Sequence, residues 1–184
     1  LERVFIQWDY CFFYPAIASC NHVTDWSKVS IKYRTDVAMM GKMGYDIVVD
    51  KLDEKELLFS QNALKNYSNL KETIWKGDLY RLINPFGNQM AAVEYVKKDK
   101  SKAVMFYYLI ENRFDMNSLI PDIKLKGLDP DKKYSIKEIN VFPGTKSSID
   151  EKMVYSGDYL MKIGKKPAIN HQRTSVVLEI NEVD

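Results

Sequence analysis

Three features of the sequence predict an α/β segment followed by an all-β segment. These are short apolar runs of strand length around a helical stretch, one long amphipathic helix, and a change to period-two patterning after Gly77. Residues 1–76 are expected to form a parallel α/β unit, such as the last strands and helices of a (β/α)8 barrel, with a linking helix over 53–76. Residues 77–184 are expected to form an antiparallel β-sandwich.

Residues 1–51 are dense in aromatics, and their apolar runs are too short to form a core alone. Ala16 to Val23 and Tyr45 to Val49 are bounded by breakers and predict buried strands, with a helical turn over Arg34 to Met40 between them. Asp53 followed by Glu56 makes a capping box, and Gly77 supplies a stop. Leu57, Leu64, Tyr67 and Ile74 fall on one face of the intervening helix. Strands are then predicted over Leu79 to Ile83, Met90 to Val96, Ala103 to Ile110, Tyr134 to Val141, Tyr159 to Ile163 and Thr174 to Val183. Lys97 to Lys102 and Gly127 to Asp131 read as hairpin turns. Ala103 to Ile110 is apolar on both faces and should be a doubly covered strand. Ser175 to Asn181 alternates and should have one wet face.

The composition narrows the function classes. At 46% hydrophobic and 28% charged residues, the chain is globular rather than disordered. A net charge of +2, with both signs mixed throughout, gives no footprint for nucleic acid. The cluster Lys97, Lys98, Lys100 and Lys102 reads as a solvated turn. No apolar stretch reaches the roughly 20 residues of a membrane helix. Cys11 and Cys20 lie in apolar surroundings without metal-ligand spacing, and neither His22 nor His171 has a second ligand at such spacing; no metal and no cofactor is expected. Asn66-Tyr67-Ser68 fits a glycosylation sequon but lies within the predicted helix. The chain opens at Leu1 without methionine and reads as a fragment. The compartment stays open.

The residues alone do not identify a reaction. A retaining glycosidase needs two carboxyls about 5 Å apart, and the spacing of Asp9, Asp25, Asp36 and Asp50 singles out no pair. His22 fits either a cleft at a strand end or a satisfied position near the core, and Asp36 fits a helix-turn cap. Trp8 and Trp26 are suited to stacking on sugar rings or to packing. The pair Tyr107-Tyr108 reads as core.

An ordered series of segments adds what the spacing does not. Glu2-Arg3-Val4-Phe5-Ile6-Gln7 is followed by Tyr14-Pro15, Asn21-His22-Val23-Thr24, Arg34-Thr35-Asp36-Val37-Ala38-Met39 and Gly44-Tyr45-Asp46. Gly77-Asp78-Leu79-Tyr80-Arg81-Leu82, Pro85-Phe86, Gly127-Leu128-Asp129-Pro130, Glu138-Ile139-Asn140, Ser156-Gly157-Asp158-Tyr159-Leu160-Met161 and Ser175-Val176-Val177-Leu178-Glu179 continue it. Together they resemble the C-terminal region of glycoside hydrolase family 36, the bacterial α-galactosidases or melibiases. The resemblance implies hydrolysis of terminal α-linked galactose from oligosaccharides with retention, by one aspartate nucleophile and one aspartate acid/base. The family's Lys-Trp-Asp and Ser-Asp-x-x-Asp motifs are absent from these residues, so the chain is expected to carry no catalytic residue and to be inactive alone. Lys51-Leu52-Asp53 matches Lys-x-Asp only superficially. By this resemblance His22 and Asp36 become candidate substrate-binding residues at the barrel mouth. Two departures from the family pattern, Trp8-Asp9-Tyr10-Cys11 and Ser19-Cys20-Asn21, are expected on loops facing that mouth.

Two further expectations follow. The β domain is read as a structural cap, with a non-catalytic carbohydrate-binding module as the alternative; an exposed aromatic row on it would favour the alternative. Barrel strands without their neighbours leave open edges, so residues 1–51 should pack in an altered way or pair with another copy of the chain.

Overall fold

The computed structural model describes residues 2–26, 28–110, 122–169 and 174–183. His171 lies outside them. The chain opens with α1 (Glu2–Tyr10), then β1 (Cys20–Thr24), α2 (Ile31–Ala38), β2 (Lys42–Asp46) and α3 (Glu54–Lys76). There follow β3 (Asp78–Ile83), β4 (Met90–Val96), β5 (Lys102–Leu109), β6 (Lys133–Ile139), β7 (Val154–Ser156), α4 (Gly157–Lys162) and β8 (Ser175–Val183).

The first part is a βαβ unit: β1 and β2 pair in parallel, with α2 as the crossover. Both strands lie offset from the predicted runs. Ala16–Ala18 form a 3-10 turn after Pro15, and Val49–Lys51 form another beyond β2. The offset has a physical reason, since Lys42 and Asp46 face solvent in β2 and interrupt the apolar signal. Barrel closure is not seen among the described residues, where these two strands form a sheet of their own. α1 was not expected; Val4, Gln7 and Trp8 bury one side of it at helical spacing.

α3 forms as predicted. Asp53 Oδ1 accepts the Glu56 backbone N–H at 2.8 Å, and Glu56 Oε2 accepts that of Asp53 at 3.3 Å. Its buried stripe runs through Phe59, Ala63, Tyr67, Leu70 and Ile74, whereas Leu57 and Leu64 of the predicted face are exposed. Gly77 ends the helix with φ −74°, so space rather than left-handed geometry selects it. A Cβ there would lie 2.3 Å from the Thr73 carbonyl oxygen and 2.6 Å from that of Val96.

The six later strands form one antiparallel sheet in the order β3-β4-β5-β8-β6-β7. The Lys97–Lys102 turn joins β4 to β5 as expected. β5 is interior and buried on both faces from Ala103 to Leu109. β8 is inserted between β5 and β6, which buries both its faces and overturns the expectation of a wet side. The Tyr159–Ile163 stretch is a correction of another kind: it belongs to α4, capped by Ser156 Oγ accepting the Tyr159 N–H at 3.1 Å. The strand lies just before it, at Val154–Ser156.

Two cores lie on the two faces of this sheet. On one face, Val4, Trp8, Tyr33, Val37, Leu70 and Ile74 from α1, α2 and α3 pack against Val93, Tyr95, Val104, Phe106, Tyr108 and Val177. On the other, a strap over residues 122–128 and α4 cover Ala92, Met105, Tyr107, Ile136 and Leu178 with Ile123, Leu125, Leu128 and Leu160. Each large apolar side chain buried this way contributes about 1.5–3 kcal/mol. Gly127 turns the strap into β6 with φ +72°, and its Cβ position is taken by the Tyr80 ring at 2.3 Å.

Candidate functional site

In a parallel pair, residues opposite one another share a face. Asn21 opposite Met43 and Val23 opposite Tyr45 point towards the helices, and Val23 is fully buried against Ile31, Ala38, Phe59 and Ala63. Cys20, His22 and Thr24, opposite Lys42, Gly44 and Asp46, make the other face. His22 therefore lies on the open side, which selects the cleft reading over the core one. Its Nδ1 is 4.0 Å from Asp46 Oδ2, and both side chains are more than half exposed. That separation is too long for a direct hydrogen bond. Gly44 opposite His22 leaves the space beside the imidazole empty, for a Cβ there would meet nothing within 4 Å.

A cleft of about 480 Å³ opens beside this face, between the starts of α1 and α2. Glu2, Arg3, His22, Thr24, Trp26 and Arg34 line its mouth, with Gln7, Asn21 and Ala38 also in the lining. The latter three are tied together. Gln7 Nε2 donates to Asn21 Oδ1 at 2.6 Å, Ser19 Oγ donates to the same oxygen at 3.0 Å, and Asn21 Nδ2 donates to the Ala38 carbonyl at 3.2 Å. Arg34 donates through a terminal nitrogen to the Thr24 carbonyl, fixing the end of β1 against α2. Arg34 Nε and the Tyr33 hydroxyl are buried and have no hydrogen-bond partner among the described residues. Burial raises the Tyr33 phenol above its ordinary range, and nearby Asp36 adds to the shift, so the hydroxyl keeps its proton.

Asp36 is placed elsewhere. It has no exposed surface and sits within α2 rather than capping a turn. Its Oδ2 accepts from Lys32 Nζ at 2.5 Å and from Ser175 Oγ at 2.6 Å, and its Oδ1 from Asn140 Nδ2 at 2.8 Å. Tyr108 donates its hydroxyl to the Asp36 backbone carbonyl at 2.8 Å. The carboxylate thus joins α2 to β8 and the residue after β6, and the backbone carbonyl of the same residue ties α2 to β5. The Asn140 backbone turns there with φ +55°.

The remaining expected positions separate. Trp8 is buried in the core on the helix side of the sheet, which excludes ring stacking on a ligand, and Trp26 is 83% exposed. The two departures Trp8-Asp9-Tyr10-Cys11 and Ser19-Cys20-Asn21 lie at the end of α1 and the start of β1. They are at the opposite end of the strand from Thr24 and Trp26, and of these residues Asn21 lines the cleft. Asp53 is the α3 cap. Among the described residues no group of three His, Cys, Asp or Glu side chains could hold a metal ion. No helix among them is long and apolar enough to cross a membrane. Asp46, which was not a candidate from the sequence, is set beside Thr24 and near His22 by the strand register.

Comparison with known proteins gives a consistent set of matches. Residues 90–180 match the family model described as glycosyl hydrolase family 36 C-terminal domain. The α-galactosidase AgaA of Geobacillus stearothermophilus is 29% identical over 163 residues, which is 85% of this chain and 21% of that protein. Alpha-galactosidase 2 of Hypocrea jecorina is 30% identical over 171 residues, 89% of this chain and 23% of that protein. The chain therefore spans less than a quarter of the length of these relatives. A crystal structure of an AgaA variant in complex with raffinose superposes on 98% of this chain, and on 24% of its own, with a TM-score of 0.83 at 28% identity.

Proposed function

Because the chain belongs to glycoside hydrolase family 36, we propose that it serves an α-galactosidase that removes terminal α-linked galactose from oligosaccharides with retention. Residues 1–76 supply the closing strands of the (β/α)8 barrel and its linking helix, and residues 77–184 form the antiparallel β domain that caps it. The two catalytic aspartates come from parts of a longer protein that these 184 residues do not contain. One attacks the anomeric carbon and releases the leaving sugar as the other protonates it; the second then activates water.

One observation carries the reading: the parallel β1–α2–β2 unit sets His22 and Asp46 on one open face, with His22 lining a strand-end cleft, in a chain that superposes on a raffinose-bound relative. A gap of 4.0 Å between the imidazole and the carboxylate is one that a sugar hydroxyl bridges, bonding to both. Asp36 acts indirectly, by holding α2 so that Arg34 fixes Thr24 at the end of β1. The binding-module alternative finds less support, since the exposed large aromatics of the later part are Phe86 and Tyr159 alone among the described residues.

The test is raffinose hydrolysis by the longer protein, with the first-formed galactose read by proton NMR. α-Galactose appearing first supports retention, and β-galactose appearing first overturns it. Hydrolysis by the 184-residue chain alone would refute the placement of the aspartates.

A further inference from the structure

Trp26 is the most exposed large apolar side chain of the described residues, at 83%. The other two tryptophans are held in place. Trp8 is in the core, and Trp75 packs on Tyr67 with ring centroids 6.3 Å apart, under the Lys71 ammonium. Among the described residues no ring or cation contact engages the Trp26 indole. Leaving an indole wet forgoes the largest apolar burial any side chain offers. Its surroundings are mixed: Glu2, Arg3, Thr24 and Arg34 share the cleft lining with Val29, Val37 and Ala38. It stands two residues past the end of β1, on the side where a barrel presents its substrate.

An aromatic face rimmed by charged and hydroxyl groups is matched by a pyranose. The C–H face of the sugar covers the ring, and its hydroxyls reach the rim. An apolar protein segment would bury Glu2 and Arg3 without partners and is disfavoured. The cleft, at about 480 Å³, falls within the range of small-molecule sites, about 300–1,000 Å³. We propose that Trp26 is the stacking platform for a leaving-group sugar, the part of an α-galactoside oligosaccharide beyond the scissile galactose. The proposal rests on the function given above and adds a specificity determinant for longer substrates.

The experiment compares Trp26→Ala and Trp26→Phe with the parent in the longer protein, on raffinose and on methyl α-galactoside, whose leaving group carries no sugar. The ratio of kcat/KM for raffinose to that for methyl α-galactoside should fall about 10-fold in Trp26→Ala, as loss of one stacking contact of about 1.4 kcal/mol implies. Trp26→Phe should recover most of it. An unchanged ratio, or phenylalanine no better than alanine, overturns the proposal. If the parent hydrolyses neither substrate, the functional reading fails. The stacking proposal is then read separately, by raffinose titration followed through tryptophan emission. A raffinose response in the parent that disappears in Trp26→Ala supports the platform. No response in the parent, or the same response in both, overturns it.

Discussion

Replacing Glu94 by glutamine tests whether a carboxyl within the sheet is held in its neutral form. Glu94 lies on β4 under the 122–128 strap with no exposed surface. Its Oε2 accepts the Lys126 backbone N–H at 2.9 Å, while its Oε1 is buried with no partner among the described residues. Burial pushes its pKa from the ordinary 4.5 up to about 8. The unfolded chain therefore gives up this proton near 4.5, and the folded chain holds it to about 8. The contribution of Glu94 to folding stability is therefore largest below 4.5, declines as pH rises between the two values, and levels off above 8. At about 1.4 kcal/mol per pH unit the full loss is about 5 kcal/mol. Glutamine does not ionise and keeps an oxygen for Lys126, but it leaves an amide N–H₂ unpaired, at a cost of about 1–3 kcal/mol. Glu94→Gln should thus be less stable than the parent at pH 4.5 and more stable at pH 9. Urea unfolding followed by circular dichroism across that range gives the difference curve, in which other titrating groups cancel. A difference that stays flat with pH would refute the account.

Other consequences are equally direct. Asp36→Ala leaves Lys32, Asn140 and Ser175 without their shared acceptor, and should cost about 3–5 kcal/mol in denaturant unfolding; a loss under 1 kcal/mol would show that this junction is not structural. Gly157→Ala and Gly44→Ala should differ sharply in melting temperature. The first Cβ falls 1.9 Å from the Asp129 carbonyl oxygen and forces a backbone shift, while the second meets nothing within 4 Å and should stay within about 0.5 kcal/mol of the parent. The β1–β2 pair has no further strand neighbour among the described residues, so the isolated 184-residue chain should associate with itself through these strands. A monomer by light scattering, with slow amide exchange in residues 20–46, would contradict that.

What could be read in advance was what local chemistry specifies. The Asp53–Glu56 cap fixes the start of α3 from four residues, and the apolar run from Ala103 fixes β5 as doubly covered. α1 escaped because its aromatics obscured the buried spacing of Val4, Gln7 and Trp8. Tyr159 to Ile163 has the composition of a strand, and the weaker signal, Ser156 three residues before Tyr159, decided for a helix. Ser175 to Asn181 was misread because its second covered face depends on where β8 inserts, a pairing between residues far apart in the chain. The site divides similarly. His22 was named from its motif, whereas the place of Asp46 depends on register and that of Asp36 on two partners from distant segments, Asn140 and Ser175.

The core on the helix side of the sheet has a consequence for modularity. Val4 and Trp8 from the first helix share it with Val177 from the last strand, so the chain's two textures meet without a seam. Hydrogen exchange should find one cooperative unit there rather than two. Grafting the later strands onto an unrelated enzyme, as one would a detachable accessory, would expose Phe106, Tyr108 and Val177 to water. Whatever variation this lineage explores in its β part must be matched by change in α1, α2 and α3.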